Sequence, residues 1–126
     1  MKKLYTILIL NSLLVFSLAC RKDRMSSGEL YGKWQLREVY QDPGDGSGKY
    51  ELAKGDAKYL TFTREGVVSG DAIPSYVRFK ILDGQRVALY IDDKTKPIEV
   101  GYKVDSHRLT LTPPCIEGCG FKFIRL

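Results

Sequence analysis

The sequence predicts an all-β protein, folded as an antiparallel up-and-down β-barrel of about eight strands with a short N-terminal helical turn. Short runs rich in Val, Ile, Thr, Tyr and Phe alternate with Gly, Asp and Pro turn signals at near-regular intervals. Within these runs apolar and polar residues alternate, and only residues 28–31 suggest a helical turn. An antiparallel meander with one apolar face removes its exposed edges by closing into a barrel. A β-sandwich of similar strand count is the structural alternative.

Turn signals separate the candidate strands in order along the chain. The Gly-rich segment 42–48 is predicted to be a flexible loop, and the Asp83-Gly84 pair is a strong hairpin signal. The strands are expected over residues 32–40, 57–63, 67–70, 75–82, 86–91, 98–104, 108–112 and 120–126.

The period of two places one set of side chains on the inner face of the barrel. In the first strand, Glu38 shares the parity of Trp34 and Leu36. It therefore either points inward and needs a partner such as Arg78 or Tyr76, or a bulge near Arg37 returns Val39 to the interior. The other residues expected to point inward are Leu60, Phe62, Val77, Phe79, Ile81, Val87, Leu89, Ile91, Ile98, Val100, Tyr102, Val104, Leu109, Leu111, Phe121 and Phe123.

The N-terminal segment has the features of a secretory signal. Lys2 and Lys3 precede an apolar run that is too short to span a bilayer, and the run ends at Ser17-Leu18-Ala19-Cys20. This ending resembles the lipobox of bacterial lipoproteins. The resemblance implies that residues 1–19 are a lipoprotein signal peptide, and that Cys20 carries acyl chains such as palmitate, which hold the protein on a membrane.

Residues 20–27 are then the lipidated cysteine and a charged tether, and residues 28–126 form the barrel domain. In such lipoproteins an Asp after the cysteine favours retention in the inner membrane. Arg21 occupies that position, so we expect a cell-envelope protein anchored in the outer membrane, on either its periplasmic or its external face.

The charge balance argues against a nucleic-acid partner. The formal net charge is +5, but Lys2 and Lys3 leave with the signal, so the mature chain has 18 Lys and Arg against 15 Asp and Glu. The tether carries most of the remaining excess. The barrel domain is therefore close to neutral and lacks the basic character that nucleic-acid binding requires.

The first and last strands carry a family resemblance over residues 28–126. Gly32-Lys33-Trp34 matches the Gly-x-Trp signature of lipocalins, and Arg125 matches its usual partner. Together with Leu-Thr-Phe-Thr-Arg-Glu-Gly, Leu-Thr-Leu-Thr and Phe-Lys-Phe-Ile-Arg, these residues resemble the lipocalin-like domains of small bacterial lipoproteins. The resemblance implies that Gly32, Trp34 and Arg125 pack at the base of the barrel, with the guanidinium across the indole ring.

The resemblance to lipocalins implies that the barrel binds a small, mostly apolar ligand in its interior. The same residues would equally form a filled core, because a small eight-stranded barrel has room for side chains alone. The candidate ligand-binding residues are Trp34, Leu60, Phe62, Phe79, Leu89, Tyr102 and Phe121.

Cys115 and Cys119 lie between the last two strands and are expected to form a disulfide in an exported protein. The alternatives are a metal site or a redox pair. Zinc needs about four ligands and His107 is the single histidine, while a redox pair would need a helix beginning at its first cysteine. We therefore expect neither a metal nor another cofactor.

No arrangement in the sequence predicts catalysis. Asp105, Ser106 and His107 have the residue types of a triad, but consecutive side chains cannot adopt its geometry. The pairs Asp42 with Asp45 and Asp92 with Asp93 lie in turn-rich segments. A binding protein, not an enzyme, is expected.

An interaction module is the alternative function. A filled barrel in the cell envelope would bind a protein or glycan through its loops, chiefly 41–48, and through exposed tyrosines. The tyrosines considered are Tyr40, Tyr50, Tyr59 and Tyr76.

Overall fold

Nine antiparallel strands make up the computed structural model, which describes residues 29–116 and 118–126. The described residues contain no helix, and hence none long and apolar enough to cross a membrane. The strands are β1 (Gly32–Gln41), β2 (Lys49–Leu52), β3 (Tyr59–Phe62), β4 (Val68–Gly70), β5 (Arg78–Ile81), β6 (Arg86–Tyr90), β7 (Ile98–Asp105), β8 (Arg108–Thr112) and β9 (Phe121–Arg125).

The strands follow one another around a nearly closed barrel. The order is β4-β3-β1-β9-β8-β7-β6-β5, so the last strand pairs with the first. Between β4 and β5 the ring closes through the bridge of Val67 with Arg78 and the bond from the amide of Phe79 to the carbonyl of Gly66, 2.9 Å. The predicted all-β, antiparallel up-and-down barrel is confirmed.

Strands β2 and β3 share one edge of β1 and together occupy one position in the ring. Residues 38–41 of β1 pair with β2, and residues 32–35 pair with β3. The nine strands therefore fill eight positions, in agreement with the predicted number. The sequence did not predict β2, because its four residues follow a Gly-rich loop and are ordered by pairing with the longer β1.

A bulge interrupts the pairing of β1 with β9 between Leu36 and Glu38. The extra residue is Arg37, which is exposed. Beyond the bulge Val39 packs against the core and the Glu38 carboxylate lies 3.8 Å from Lys122 Nζ on the outside. Glu38 therefore does not point inward, and the structure has the bulge near Arg37 that was the other alternative.

The core lies inside the barrel and follows the period of two. Two inward predictions are wrong: Val77 is 47% exposed and Ile91 is 44% exposed. The reason is that β5 begins only at Arg78 and β6 already ends at Tyr90. The buried core consists of Leu30, Trp34, Leu36, Leu60, Phe62, Val68, Phe79, Val87, Leu89, Val100, Leu109, Leu111 and Phe123.

The chain enters the first strand through an extended segment. Glu29, Leu30 and Tyr31 belong to no helix, and Gly28 lies outside the described residues, so the helical turn expected over 28–31 is not found in the described part. Leu30 is buried, and its carbonyl accepts a hydrogen bond from Trp34 Nε1, 2.9 Å. The signal segment 1–19, Cys20 and the tether 20–27 also lie outside the described residues.

Candidate functional site

One end of the barrel is closed by Trp34 and Arg125. Trp34 is fully buried, and the Arg125 guanidinium lies over its ring. The same guanidinium donates to the carbonyls of Tyr31, 2.7 Å, and Glu29, 2.5 Å. Gly32 begins β1 here with a φ of 129° and pairs with Phe62. These contacts bind the N-terminal segment and the last strand together.

The interior next to this closed end is filled with side chains. Leu60 and Phe62 are at most 1% exposed. The ring of Phe62 packs edge-on against Phe79, with centroids 4.9 Å apart, and Phe79 also contacts the ring of Tyr31 at 6.1 Å. Such pairs add to the burial of the rings themselves. This half of the barrel is a hydrophobic core.

At the opposite end, which we call the mouth, an apolar cavity of 350 Å³ opens. Four strands supply its floor from inward-facing positions, and two connections supply its rim: 71–77 between β4 and β5, and 113–120 between β8 and β9. Its size lies within the range of small-molecule sites. The residues that line this mouth cavity are Ile73, Tyr76, Leu89, Val100, Leu111, Pro113, Cys115, Cys119 and Phe121.

The predicted disulfide between Cys115 and Cys119 is confirmed, and both cysteines face the mouth cavity. The disulfide closes a short loop that is also held from outside. The amide of Tyr40 donates to the carbonyl of Gly120, 2.9 Å, and a Cβ at Gly118 would lie 3.3 Å from the Tyr40 ring. The β1 to β2 hairpin thus positions one side of the rim.

The other side of the rim is fixed by Tyr59 and Asp71. The amides of Asp71 and Ala72 both donate to the Tyr59 carbonyl, each at 3.1 Å, and the Asp71 carboxylate accepts from the Tyr59 amide at 2.7 Å. These bonds hold the beginning of the connection 71–77. Ile73 and Tyr76 follow on it and reach the mouth cavity.

The structure divides the seven candidate ligand-binding residues between different places. Leu89 and Phe121 line the mouth cavity. Tyr102 does not line the cavity, and its hydroxyl donates to the carbonyl of Asp83 at 3.0 Å. The pKa of Tyr102 is raised, chiefly by burial and secondly by the negative charge of Asp83. The remaining four, which lie in the packed core and not at the mouth, are Trp34, Leu60, Phe62 and Phe79.

Sequence reasoning missed most of the lining of the mouth cavity. Val100 and Leu111 were expected to point inward, so the alternation of side chains along their strands could have identified them as lining residues. Ile73 and Pro113 lie in connections without periodicity, and Tyr76 was expected on the outer face of a strand over 75–82. Only the fold brings these three residues to the mouth. Tyr76 is half-buried in this cavity and is not an exposed loop tyrosine.

The other tyrosines of the alternative function are also half-buried. Tyr40 and Tyr50 pack edge to face with centroids 5.3 Å apart, and Lys122 Nζ lies 3.8 Å from the Tyr50 ring. Lys33 Nζ lies 4.7 Å from the Tyr59 ring. These rings therefore make contacts within the domain.

Most of the polar residues considered for catalysis lie in turns, and Asp105 is the last residue of β7. His107 is exposed in the turn from β7 to β8, and its carbonyl accepts from the Arg125 amide, 2.8 Å. The carboxylates of Asp42, Asp45 and Asp92 accept bonds from amides two residues further along. Within residues 29–116 and 118–126, no three His, Cys, Asp or Glu side chains are grouped so that they could hold a metal ion.

Comparison of the chain with protein-family models, curated proteins and solved structures finds no match in any of the three.

Proposed function

We propose that this protein is a lipocalin-like lipoprotein of the cell envelope, anchored through Cys20, that binds a small, mostly apolar ligand in the mouth cavity. The observation that carries the proposal is the cavity itself. The closed half of the barrel is filled by side chains, whereas 350 Å³ at the mouth is lined by aliphatic, aromatic and sulfur-containing residues. An apolar ligand gains free energy by leaving water for such a site.

The lining restricts the charge of the ligand. None of its nine residues is Asp, Glu, Lys, Arg or His, and Tyr76 contributes the one side-chain hydroxyl. A charged group placed there would lose its hydration without a partner, which is strongly unfavourable. We therefore propose that an uncharged part of the ligand, such as an acyl chain or an aromatic ring, occupies the mouth cavity.

The alternative, an interaction module that binds through the loop 41–48 and exposed tyrosines, has less support from its tyrosines. Tyr40, Tyr50 and Tyr59 are all half-buried: Tyr40 and Tyr50 pack on each other, Lys122 lies over Tyr50, and Lys33 lies over Tyr59. A binding surface for a protein or glycan would need these rings to be free.

A dye titration tests the ligand proposal. The neutral dye N-phenyl-1-naphthylamine should bind the protein and increase in fluorescence, and Ile73→Asp should weaken its binding at least about tenfold by placing a charge at the rim. Ile116→Asp is the matched control, because Ile116 lies on the same rim but is fully exposed. Absence of dye binding, or equal affinity of both variants, would contradict the proposal.

Native mass spectrometry gives the identity of the ligand. The protein isolated from the cell envelope is measured beside a denatured sample, and an adduct that is lost on denaturation gives the mass of the bound molecule. If the ligand occupies the mouth cavity, we expect the adduct in the wild type and in Ile116→Asp but not in Ile73→Asp.

The anchor has a separate test. Cys20→Ala removes the thiol that the acyl chains would occupy, and we expect the variant to leave the membrane fraction. Membrane association that persists in this variant would show that another feature holds the protein there.

A further inference from the structure

Besides the mouth cavity, a groove of 450 Å³ lies on the outside of the barrel over β1, β7, β8 and β9. Four cationic side chains from these strands line it, and we call them the basic wall: Arg37, Lys103, Arg108 and Lys122.

Strand register explains why these side chains share one outer face. Lys103 pairs with Thr110, Thr110 with Lys122 and Lys122 with Glu38, so Lys103 and Lys122 stand in one row across the sheet. Arg108 lies two residues before Thr110 in β8 and therefore shares its outer face. Adjacent strands are about 4.8 Å apart, which separates the Lys103 and Lys122 backbones by about 10 Å. The bulge in β1 adds Arg37 to this face.

The positive charge of the groove is only partly cancelled by carboxylates within it. In the described part of the chain, Arg37, Lys103 and Arg108 form no ion pair, and Lys122 contacts Glu38 at 3.8 Å with 40% of its side chain exposed. The groove contains two carboxylates, Glu38 and Asp105, against four cations. It therefore carries a net charge of +2 on a domain that is otherwise close to neutral.

An exposed apolar side chain borders the same groove. Leu52 ends β2, is 75% exposed, and pairs in register with Glu38. Cationic residues beside an exposed aliphatic one are the combination found on protein surfaces that lie in the headgroup region of a bilayer.

The N-terminal segment reaches the barrel at its closed end. Arg125 in β9 holds the carbonyl of Glu29, and the Glu29 carboxylate pairs with Arg64 between β3 and β4 at 2.8 Å. Nine residues from Cys20 to Gly28 span at most about 30 Å when extended. If Cys20 carries the proposed anchor, the bilayer lies within that distance of Glu29, and the anchor therefore keeps the small barrel, with its basic wall, at the membrane surface.

From these observations we infer that the basic wall is a docking surface for anionic phospholipid headgroups, and that the barrel lies with this side on the membrane. The inference rests on the proposed lipid anchor, because the anchor makes docking an intramolecular event for which a modest charge suffices. Docking on the side wall leaves the mouth cavity open along the membrane surface.

Lysine labelling on vesicles tests the inference. The wild-type protein is mixed with vesicles of phosphatidylcholine alone or with added phosphatidylglycerol, treated with an amine-reactive reagent and analysed by mass spectrometry. We expect Lys103 and Lys122 to react several-fold more slowly on the anionic vesicles, with the difference lost at high salt. Lys80 on β5 and Lys96 before β7 are the internal controls and should react equally on both.

Charge reversal supplies the matched variants. K103E/R108E should abolish the protection of Lys122, whereas K80E/K96E should retain it. Equal labelling of Lys103 and Lys122 on both kinds of vesicle, or protection of Lys122 that survives K103E/R108E, would overturn the inference. Flotation of the wild type with neutral vesicles reports the anchor independently, so failure of the anchor and failure of the docking surface are distinguished.

Discussion

Arg125 lies over the indole ring of Trp34, with its guanidinium carbon 4.1 Å from the ring centroid. Burial lowers the pKa of Arg125, and Glu29 opposes this shift. The contact joins the first strand to the last, because Trp34 and Arg125 are also partners in the register of β1 and β9. It therefore stabilises the pairing of the first strand with the last.

Removing this contact should destabilise the barrel. Arg125→Ala loses a cation over an aromatic ring and two charge-assisted hydrogen bonds, and we expect the free energy of unfolding to fall by about 3 kcal/mol. Arg125→Lys should recover less than half, because an ammonium lacks the planar fork that serves the carbonyls of Tyr31 and Glu29. Urea unfolding measures the stability of both variants. Full recovery of stability in Arg125→Lys would contradict the role of the planar guanidinium.

Gly70 should be intolerant of a side chain. Its φ is +124°, and a Cβ there would collide with the carbonyl of Tyr59. We expect Gly70→Ala to cost more than about 1 kcal/mol of stability. Gly84→Ala is the control, since no atom lies within 4 Å of its added Cβ, and it should be neutral or slightly stabilising. Equal melting temperatures would refute the steric argument.

Stability should decline in acid through Asp83. Its pKa lies below the ordinary value of 3.8, chiefly because the Gln85 amide donates to it and then because of Arg86. A depressed pKa adds stability that is present above pH 3.8 and is lost as the pH falls through the folded value. Thermal unfolding from neutral pH into this acid range should show a smaller loss for Asp83→Asn than for wild type.

Arg86→Met is the control for this acid dependence. It removes the ion pair with Asp83 but leaves the amide bonds from Gln85 and Arg86, each 2.8 Å. Most of the acid dependence should therefore persist in Arg86→Met. If Arg86→Met loses as little stability in acid as Asp83→Asn does, the acid dependence comes from the ion pair instead.

The disulfide should matter more for the mouth cavity than for global stability. Closing so short a loop contributes about 2 kcal/mol at most in the chain-entropy account. Because both cysteines line the cavity, the double variant Cys115→Ser/Cys119→Ser should bind the neutral dye several-fold more weakly. Dye affinity equal to that of the wild type would show that the loop keeps its position without the bridge.

Much of the fold could be predicted because it follows from local pattern. The period of two identified the buried faces of β3 and β8, as Leu60, Phe62, Leu109 and Leu111 show. The Asp83-Gly84 signal gave the turn between β5 and β6. Strand ends were less predictable, and Val77 was misplaced because the ladder with β6 begins one residue later.

The candidate site was harder to predict than the fold. Leu89 and Phe121 were named, but Trp34, Leu60, Phe62 and Phe79 were named with equal reason and lie in the packed core. An inward side chain has the same sequence pattern whether it fills a core or borders a cavity.

Alternation and turn chemistry therefore determined the strands, their inner faces and the class of fold, because each depends on residues close together in the chain. The position of the cavity was decided by contacts distant in sequence. The connection 71–77 is tied to Tyr59, and the disulfide loop is tied to Tyr40, so that the two stand on opposite sides of one opening. Only closure of the sheet brings these segments together and leaves the space between them unfilled.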